Sequence, residues 1–368
     1  MKKSYNYLIG KPMINLDSRD EIRQIDSQNV LGSVEKLADQ CEQAWREVSA
    51  TPLPRQYSQA RNIVVCGMGG SRFTPLAIRE LFRDRISVPY DIVDGYHLPG
   101  YVNSDTLVIL SSYSGTTEEV LVCAEEALKR KALITGITAG GKVAEFLSRH
   151  TLPGYIFVPR YNPCGQPRVG GGYMLMGHLG MLTKLGYVKV AKEEVAQAIE
   201  MTRKFTAQNA VKVTADKNFA KQVAEQLRDR HVFVITAEFL RGFGNGFANQ
   251  INETAKLISD PRYIPELNHH LIEGLQRPES LNKNGLFLFV FSSLYSDPIK
   301  KRFTITKEVV EKQRLKTWWW ELTGSGRLAQ LLEAFTVSGF VTFYLALLYG
   351  TNPVEIPWVD YFKKRLAE

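Results

Sequence analysis

Thr106-Leu107-Val108-Ile109-Leu110-Ser111-Ser112-Tyr113-Ser114-Gly115-Thr116-Thr117-Glu118-Glu119 passes from an apolar run into a loop of hydroxyls, and then into the amphipathic segment Val120 to Ala124. That order predicts a buried strand, a turn and the start of a helix, the unit from which parallel α/β sheets are built. A helix N-terminus offers unpaired N–H groups and the positive end of the peptide dipoles. Ser112, Ser114, Thr116 and Thr117 add neutral donors, and no Lys or Arg interrupts the loop. It therefore suits a phosphate held by hydrogen bonds. A cap needs one hydroxyl, so the surplus favours binding over capping alone. Thr116 and Glu119 also have the spacing of a capping box.

The same pattern recurs on either side. Asn62-Ile63-Val64-Val65-Cys66 reads as a strand ending in Gly67-Met68-Gly69-Gly70-Ser71. Those glycines allow either a close backbone approach to an oxyanion or sugar hydroxyl, or simply a tight turn. Arg72 stands where a dinucleotide fingerprint needs its third glycine, and no G-K-[ST] follows, so neither nucleotide motif applies. Thr74-Pro75 predicts an N-cap and a first helical position. Further strands are expected at 88–93, 132–137 and 155–158, and an apolar helix from Tyr173 to Leu185. A second series follows: a strand from His231 to Ile235, a helix from about Asn245 to Ile258, a strand from Leu286 to Phe291 and a helix from Asp297-Pro298. Lys316 to Leu322 reads as a strand, and a long helix ends near Gly350. The expected organisation is a helical N-terminal segment over 1–60, an α/β unit over 61–190, a charged helical linker over 191–228, a second α/β unit over 229–350 and a C-terminal helix over 351–368. Within the first segment Leu31, Val34, Leu37, Ala38, Cys41 and Trp45 fall at helical spacing.

Composition narrows the function. The 368 residues carry a net charge of +8, spread along the chain without a zinc-finger, basic-zipper or RNA-recognition signature. That suits an enzyme of anionic metabolites better than a nucleic-acid binder. Four cysteines, at 41, 66, 123 and 164, form no C-x-x-C pair and are expected as buried free thiols of a cytoplasmic protein. Met1-Lys2-Lys3 is followed by polar residues, which is not a secretory signal pattern. The apolar segment Phe335 to Tyr349 is interrupted by Thr336, Ser338, Gly339 and Thr342. It reads as too short and too polar to span a bilayer, and so as a buried helix.

The ordered series G-M-G-G-S, S-Y-S-G-x-T-E-E, T-x-G-G-K and Q-P-R resembles the sugar isomerase (SIS) domain family, and within it the two-domain phosphoglucose/phosphomannose isomerases. Asn249 to Lys256 resembles that family's Q-x-N-E-x-A-K, and Glu266-Leu267-Asn268-His269-His270 its E-x-x-H-N. Leu328 to Lys363 resembles its closing helices. The resemblance covers roughly 60–368. It implies two flavodoxin-like, doubly wound parallel-sheet SIS subdomains, a homodimer with sites near the subunit interface, and no cofactor or metal. It implies interconversion of glucose 6-phosphate with fructose 6-phosphate, with mannose 6-phosphate as a second candidate substrate. Ser112, Ser114 and Thr117 would hold the phosphate, and Gly69, Gly70 and Ser71 the sugar. Arg168 would neutralise an enediolate, Glu253 move the proton, His269 assist ring opening and Lys363 touch the end of the substrate. Two other readings stay open: a phosphosugar-binding or sensory protein without chemistry, and an amino-sugar phosphate isomerase. Arg72-Phe73-Thr74, His270 and the run Val169 to Gly172 depart from the family's pattern.

Taken as residues alone, these candidates have plainer readings. Aldose–ketose isomerisation needs a mobile base, a partner for the enediolate and a group to open the ring, which a carboxylate, an arginine and a histidine can supply. On a regular helix, however, Glu253 points away from the face set by Phe247, Ile251, Ala255 and Ile258. It faces the site only if that polar face meets another domain or subunit. Arg168 could equally brace its loop, and His269 could be structural. His269 and His270 have no neighbouring ligands in good metal spacing, and Lys363 could offset a helix dipole.

Overall fold

The computed structural model describes residues 14–366 and 368; the helix and leader expectations over 1–13 lie outside them. Three helices come first: α1 (Arg19–Ile25), α2 (Val30–Glu35) and α3 (Leu37–Ala50). The apolar spacing from Leu31 to Trp45 is thus divided at Lys36 between α2 and α3.

The first sheet contains β1 (Asn62–Cys66), β2 (Tyr90–Val93), β3 (Thr106–Ser111), β4 (Leu133–Thr138) and β5 (Gly154–Ile156), in the order β2-β1-β3-β4-β5 with every pair parallel. Its helices are α4 (Gly70–Leu81), α5 (Glu118–Lys129), α6 (Gly141–Arg149) and α7 (Gly171–Lys184). Helices α8 (Lys192–Asn209) and α9 (Phe219–Leu227) lead to the second half. There β6 (His231–Ala237) is followed by α10 (Arg241–Gln250) and β7 (Ser259–Ile264). The short helices α11 (Leu271–Gly274) and α12 (Leu281–Asn284) precede β8 (Gly285–Ser292), α13 (Asp297–Lys312), β9 (Lys316–Leu322), α14 (Arg327–Leu348) and α15 (Pro357–Leu366). The second sheet runs β7-β6-β8-β9, again parallel throughout. Both halves are doubly wound α/β units. The halves meet where α10 crosses α4: a Cβ on Gly242 would lie 2.4 Å from the Ala77 backbone, so only glycine allows this approach.

Five local expectations are corrected. Helix α4 begins at Gly70, not after Thr74, and Pro75 lies inside it. Proline has no N–H for the carbonyl four residues back, and Ser111 Oγ–H supplies that bond instead, donating to Ser71 O at 2.7 Å. The same hydroxyl lies 3.0 Å from Nε2 of buried His178, whose pKa desolvation pushes down to about 3, so the ring is neutral. Thr117, not Thr116, is the N-cap of α5, and no side chain closes a capping box there. The helix expected to run to Ile258 ends at Gln250 and widens into a π-turn over Ile251–Ala255. The next strand, β7, has no apolar pattern to predict it: Asp260, Pro261 and Arg262 obscure it, and a sheet edge tolerates them. Finally, the helix containing Phe335 starts at Arg327, so it is long and apolar enough by composition to cross a membrane, yet it is almost wholly buried as the core helix of the second half.

Candidate active site

The hydroxyl loop leaves the C-terminal end of β3. Gly115 adopts φ +69°, and a Cβ there would collide with Gly140 O. Ala139 N–H donates to Tyr113 O at 2.9 Å and Val143 N–H to Gly115 O at 2.9 Å. The loop is therefore locked against the turn after β4. Ser112 Oγ and Thr117 Oγ1 lie 2.8 Å apart, and Ser112 Oγ accepts Gly115 N–H at 3.1 Å. Ser114 Oγ lies 3.0 Å from Thr116 Oγ1. The first turn of α5 follows directly, so the hydroxyls and the unpaired N–H groups of a helix start lie together at the end of β3.

The glycine loop lies beside it, at the end of β1. Gly69 has φ +51° with open space where a Cβ would be. Ser71 is buried, and its Oγ accepts the Tyr113 N–H at 2.9 Å, tying the glycine loop to the hydroxyl loop. Arg72, a departure from the family pattern, is engaged elsewhere: Nε meets Asp94 at 2.7 Å and Nη1 donates to Asn245 Oδ1 at 3.1 Å.

Arg168 closes the third side. Its loop is fixed by Asn162, whose Nδ2 donates to Tyr113 Oη (2.7 Å) and Gln166 O (3.0 Å). A Cβ on Gly70 would lie 3.9 Å from Arg168 Cα, so the glycine loop abuts the arginine loop. Arg168 is 5% exposed. Its Nη2 donates to Pro353 O (2.7 Å) and Val354 O (2.6 Å), and Nη1 to Gln166 Oε1 and Glu253 Oε1, each at 3.2 Å. Gln250 Nε2 donates to Arg168 O at 3.2 Å.

Glu253 sits on the π-turn that ends α10, with 37% of its side chain exposed. The chain closes this turn through Lys256 N–H, which donates to Ile251 O, with Lys256 at φ +56°. Extra residues in such turns swing side chains off the regular helical phase. The polar face that carries Glu253 meets the first half of the chain. Lys256, which closes the motif Asn249 to Lys256 and to which the sequence alone assigns no role, donates to Thr254 O and Asn352 O, each at 3.0 Å. Desolvation, reinforced by the Arg168 charge, lowers its pKa to about 8. Arg168 and Lys256 together hold the 352–354 segment beside Glu253. Charge at that motif position was the available signal for Lys256.

The structure thus brings Gly69, Gly70, Ser71, Ser112, Ser114, Thr117, Arg168 and Glu253 to one face. It does not bring His269 or Lys363 there. His269 is exposed on the turn Glu266–His269, and Lys363 is exposed on α15. Neither forms a hydrogen bond or ion pair with Arg168 or Glu253. His270 Nε2 lies 3.7 Å from Glu266. Among the described residues no group of three His, Cys, Asp or Glu could hold a metal ion, and all four cysteines are free and buried.

Known proteins match most of the chain. Residues 56–152 match the SIS domain, and 216–366 match the bacterial phospho-glucose isomerase C-terminal SIS domain. A bifunctional phosphoglucose/phosphomannose isomerase of Caldicellulosiruptor bescii is 28% identical over 91% of this chain and 98% of its own length. A protein of the same name from Thermoplasma acidophilum is 27% identical over 83% and 90%. Among solved structures, a hypothetical protein from Thermus thermophilus is similar in fold, with TM-score 0.72 at 18% identity, covering 95% of this chain and 94% of that one. Glucosamine-6-phosphate deaminase from Thermotoga maritima superposes with TM-score 0.62 at 16% identity, covering 89% and 97%.

Proposed function

This chain belongs to the SIS domain family, and from that premise we propose that it is a phosphosugar isomerase interconverting glucose 6-phosphate with fructose 6-phosphate, with mannose 6-phosphate as a second substrate. The observation that carries the reading is the Arg168–Glu253 contact of 3.2 Å, set beside a loop of hydroxyls at a helix N-terminus. In this reading Ser112, Ser114, Thr117 and the first N–H groups of α5 hold the phosphate. Gly69 and Gly70 let the sugar approach the backbone, and the Ser71 hydroxyl donates to it. With the ring open, Glu253 removes the proton from C2 of the aldose. The C2–H electron pair forms the C1–C2 double bond, and the carbonyl oxygen at C1 takes the negative charge. Arg168, which cannot deprotonate, faces that charge. The O2 hydroxyl proton passes to the charged O1, and Glu253 returns its own proton to C1 as the ketone forms at C2.

The reading includes a homodimer. His269 and Lys363 would complete the site only from a second copy, and α15 exposes Val359, Tyr361, Phe362 and Leu366 on its surface. His269 would then assist ring opening and Lys363 meet the substrate's end. Mixing a Glu253→Gln chain with a Lys363→Ala chain tests this: mixed dimers regain activity if each site draws on both chains.

One observation favours the alternative of phosphosugar binding without chemistry. Arg168, buried, donates to four protein acceptors, Gln166 Oε1, Glu253 Oε1, Pro353 O and Val354 O, an arrangement that suits a structural brace. Assaying fructose 6-phosphate formation from each aldose, with calorimetry of the same sugars, separates the readings. Binding without turnover selects the alternative. Ammonia release from glucosamine 6-phosphate would instead select amino-sugar chemistry.

A further inference from the structure

The two sheets share one strand order, so each has a point where its connections diverge and where ligands of such sheets bind. The first lies between the ends of β1 and β3. The second lies between the ends of β6 and β8, and nothing described so far uses it. A cavity of about 500 Å³ opens there. It is lined by Glu238 and Phe239 after β6, Ser296 after β8, Arg327 at the start of α14, and Arg241, with Arg83 and the carboxylates Glu80 and Asp84 contributed by the first half. A neighbouring cavity of about 420 Å³ shares Arg83, Arg241 and Glu80 and adds Arg79, Tyr90 and Asp91.

Three independent features suit an anion. First, an anion already sits on the loop after β8: Ser296 N–H donates to Glu238 Oε2 at 3.2 Å, and Ser296 Oγ–H to Oε1 at 2.5 Å. Second, cations converge from separate elements. Arg327 pairs with Asp84 at 3.0 Å and Arg83 reaches Glu80 only at 3.5 Å. Arg241 stacks on Tyr263 at 4.8 Å and, among the described residues, has no carboxylate within salt-bridge distance. Third, Tyr90 is 8% exposed and lines the second cavity, and its hydroxyl has no hydrogen-bond partner among the described residues.

We infer that this crevice is a second ligand site, separate from the Arg168–Glu253 face, for a small phosphate monoester. Arg241 and Arg83 take the phosphate, the Tyr90 hydroxyl and Arg79 lie toward the rest of the ligand, and Glu238 is the resident anion that the phosphate displaces from Ser296. Helix α4 begins at Gly70 beside the first site and carries Arg79 and Glu80 in its last turn beside the second, so one rigid element touches both.

The test is calorimetric titration of the full chain with inorganic phosphate and with glucose 6-phosphate. The unaltered protein binds two per chain. An Arg83→Gln/Arg241→Gln variant binds one, its second affinity falling at least about tenfold, while turnover of the first site and the melting curve are unchanged. Glu238→Gln removes the competing charge and tightens the second site by about threefold or more. One site per chain in the unaltered protein would overturn the inference. So would two sites indifferent to the arginine substitutions, or, should the arginine variant not fold, a Glu238→Gln affinity equal to that of the unaltered chain. The count is of binding, so an inactive protein still decides it.

Discussion

Arg168 in the first half of the chain and Glu253 in the second touch at 3.2 Å, although 85 residues separate them. Neither half contains the pair. The buried guanidinium is also the anchor for Pro353 O and Val354 O, so one side chain joins three segments.

Replacing that anchor has two expected effects. Arg168→Ala leaves buried carbonyls unpaired, and should cost about 2–3 kcal/mol in urea unfolding, the scale of lost hydrogen bonds to a charged group. Arg168→Lys keeps the charge but not the planar fork. It should unfold less readily than the alanine variant, yet lose roughly 100-fold or more in kcat, as expected when a donor to developing charge is misplaced. Equal kcat for lysine and arginine would mean that charge alone suffices.

Lys256 should set an alkaline limb. A lysine is charged below its pKa and neutral above it, and this one titrates near 8. Its charge beside Arg168 and Glu253 favours a dianionic substrate and holds Asn352 O. A plot of kcat/KM against pH should fall above about pH 8. Lys256→Arg should extend the plateau upward, and an unchanged limb in that variant would assign it to another group.

The missing N–H of Pro75 gives a double-mutant test. Ser111→Ala leaves Ser71 O and His178 Nε2 without the hydroxyl they share, at a cost of about 1–3 kcal/mol. Adding Pro75→Ala restores an amide that can reach Ser71 O within the helix. The double variant should therefore be more stable than Ser111→Ala alone. Additive losses would show that the hydroxyl does not substitute for the proline's absent donor.

Most of this architecture was legible in the sequence, and its gaps have physical causes. Strands β1, β3 and β8 are buried on both faces, so they stand out as continuous apolar runs. β7 is an edge strand with Asp260, Pro261 and Arg262 in it, and a period-based reading passes over it. The place of the hydroxyl loop after a strand could be read directly, but its cap fell one residue later than the Thr116–Glu119 spacing suggested. Helical spacing through Ile258 turns Glu253 toward solvent, because that spacing supposes a regular helix. The wide turn at 251–255 and the neighbouring half of the chain are tertiary facts with no local signature. For the same reason nothing in the motif around His269 or Lys363 showed that both would be exposed in a single chain.

Glu253 is proposed to move the proton between C2 and C1. The direct measurement is the rate of fructose 6-phosphate formation from glucose 6-phosphate by the unaltered protein and by Glu253→Gln, with thermal unfolding followed on both. Glu253 is half-exposed, so the variant should fold normally. Its rate should fall at least about 100-fold, the usual scale for a positioned general base. Equal rates in the two proteins, or no turnover by the unaltered one, would rule out that role for Glu253.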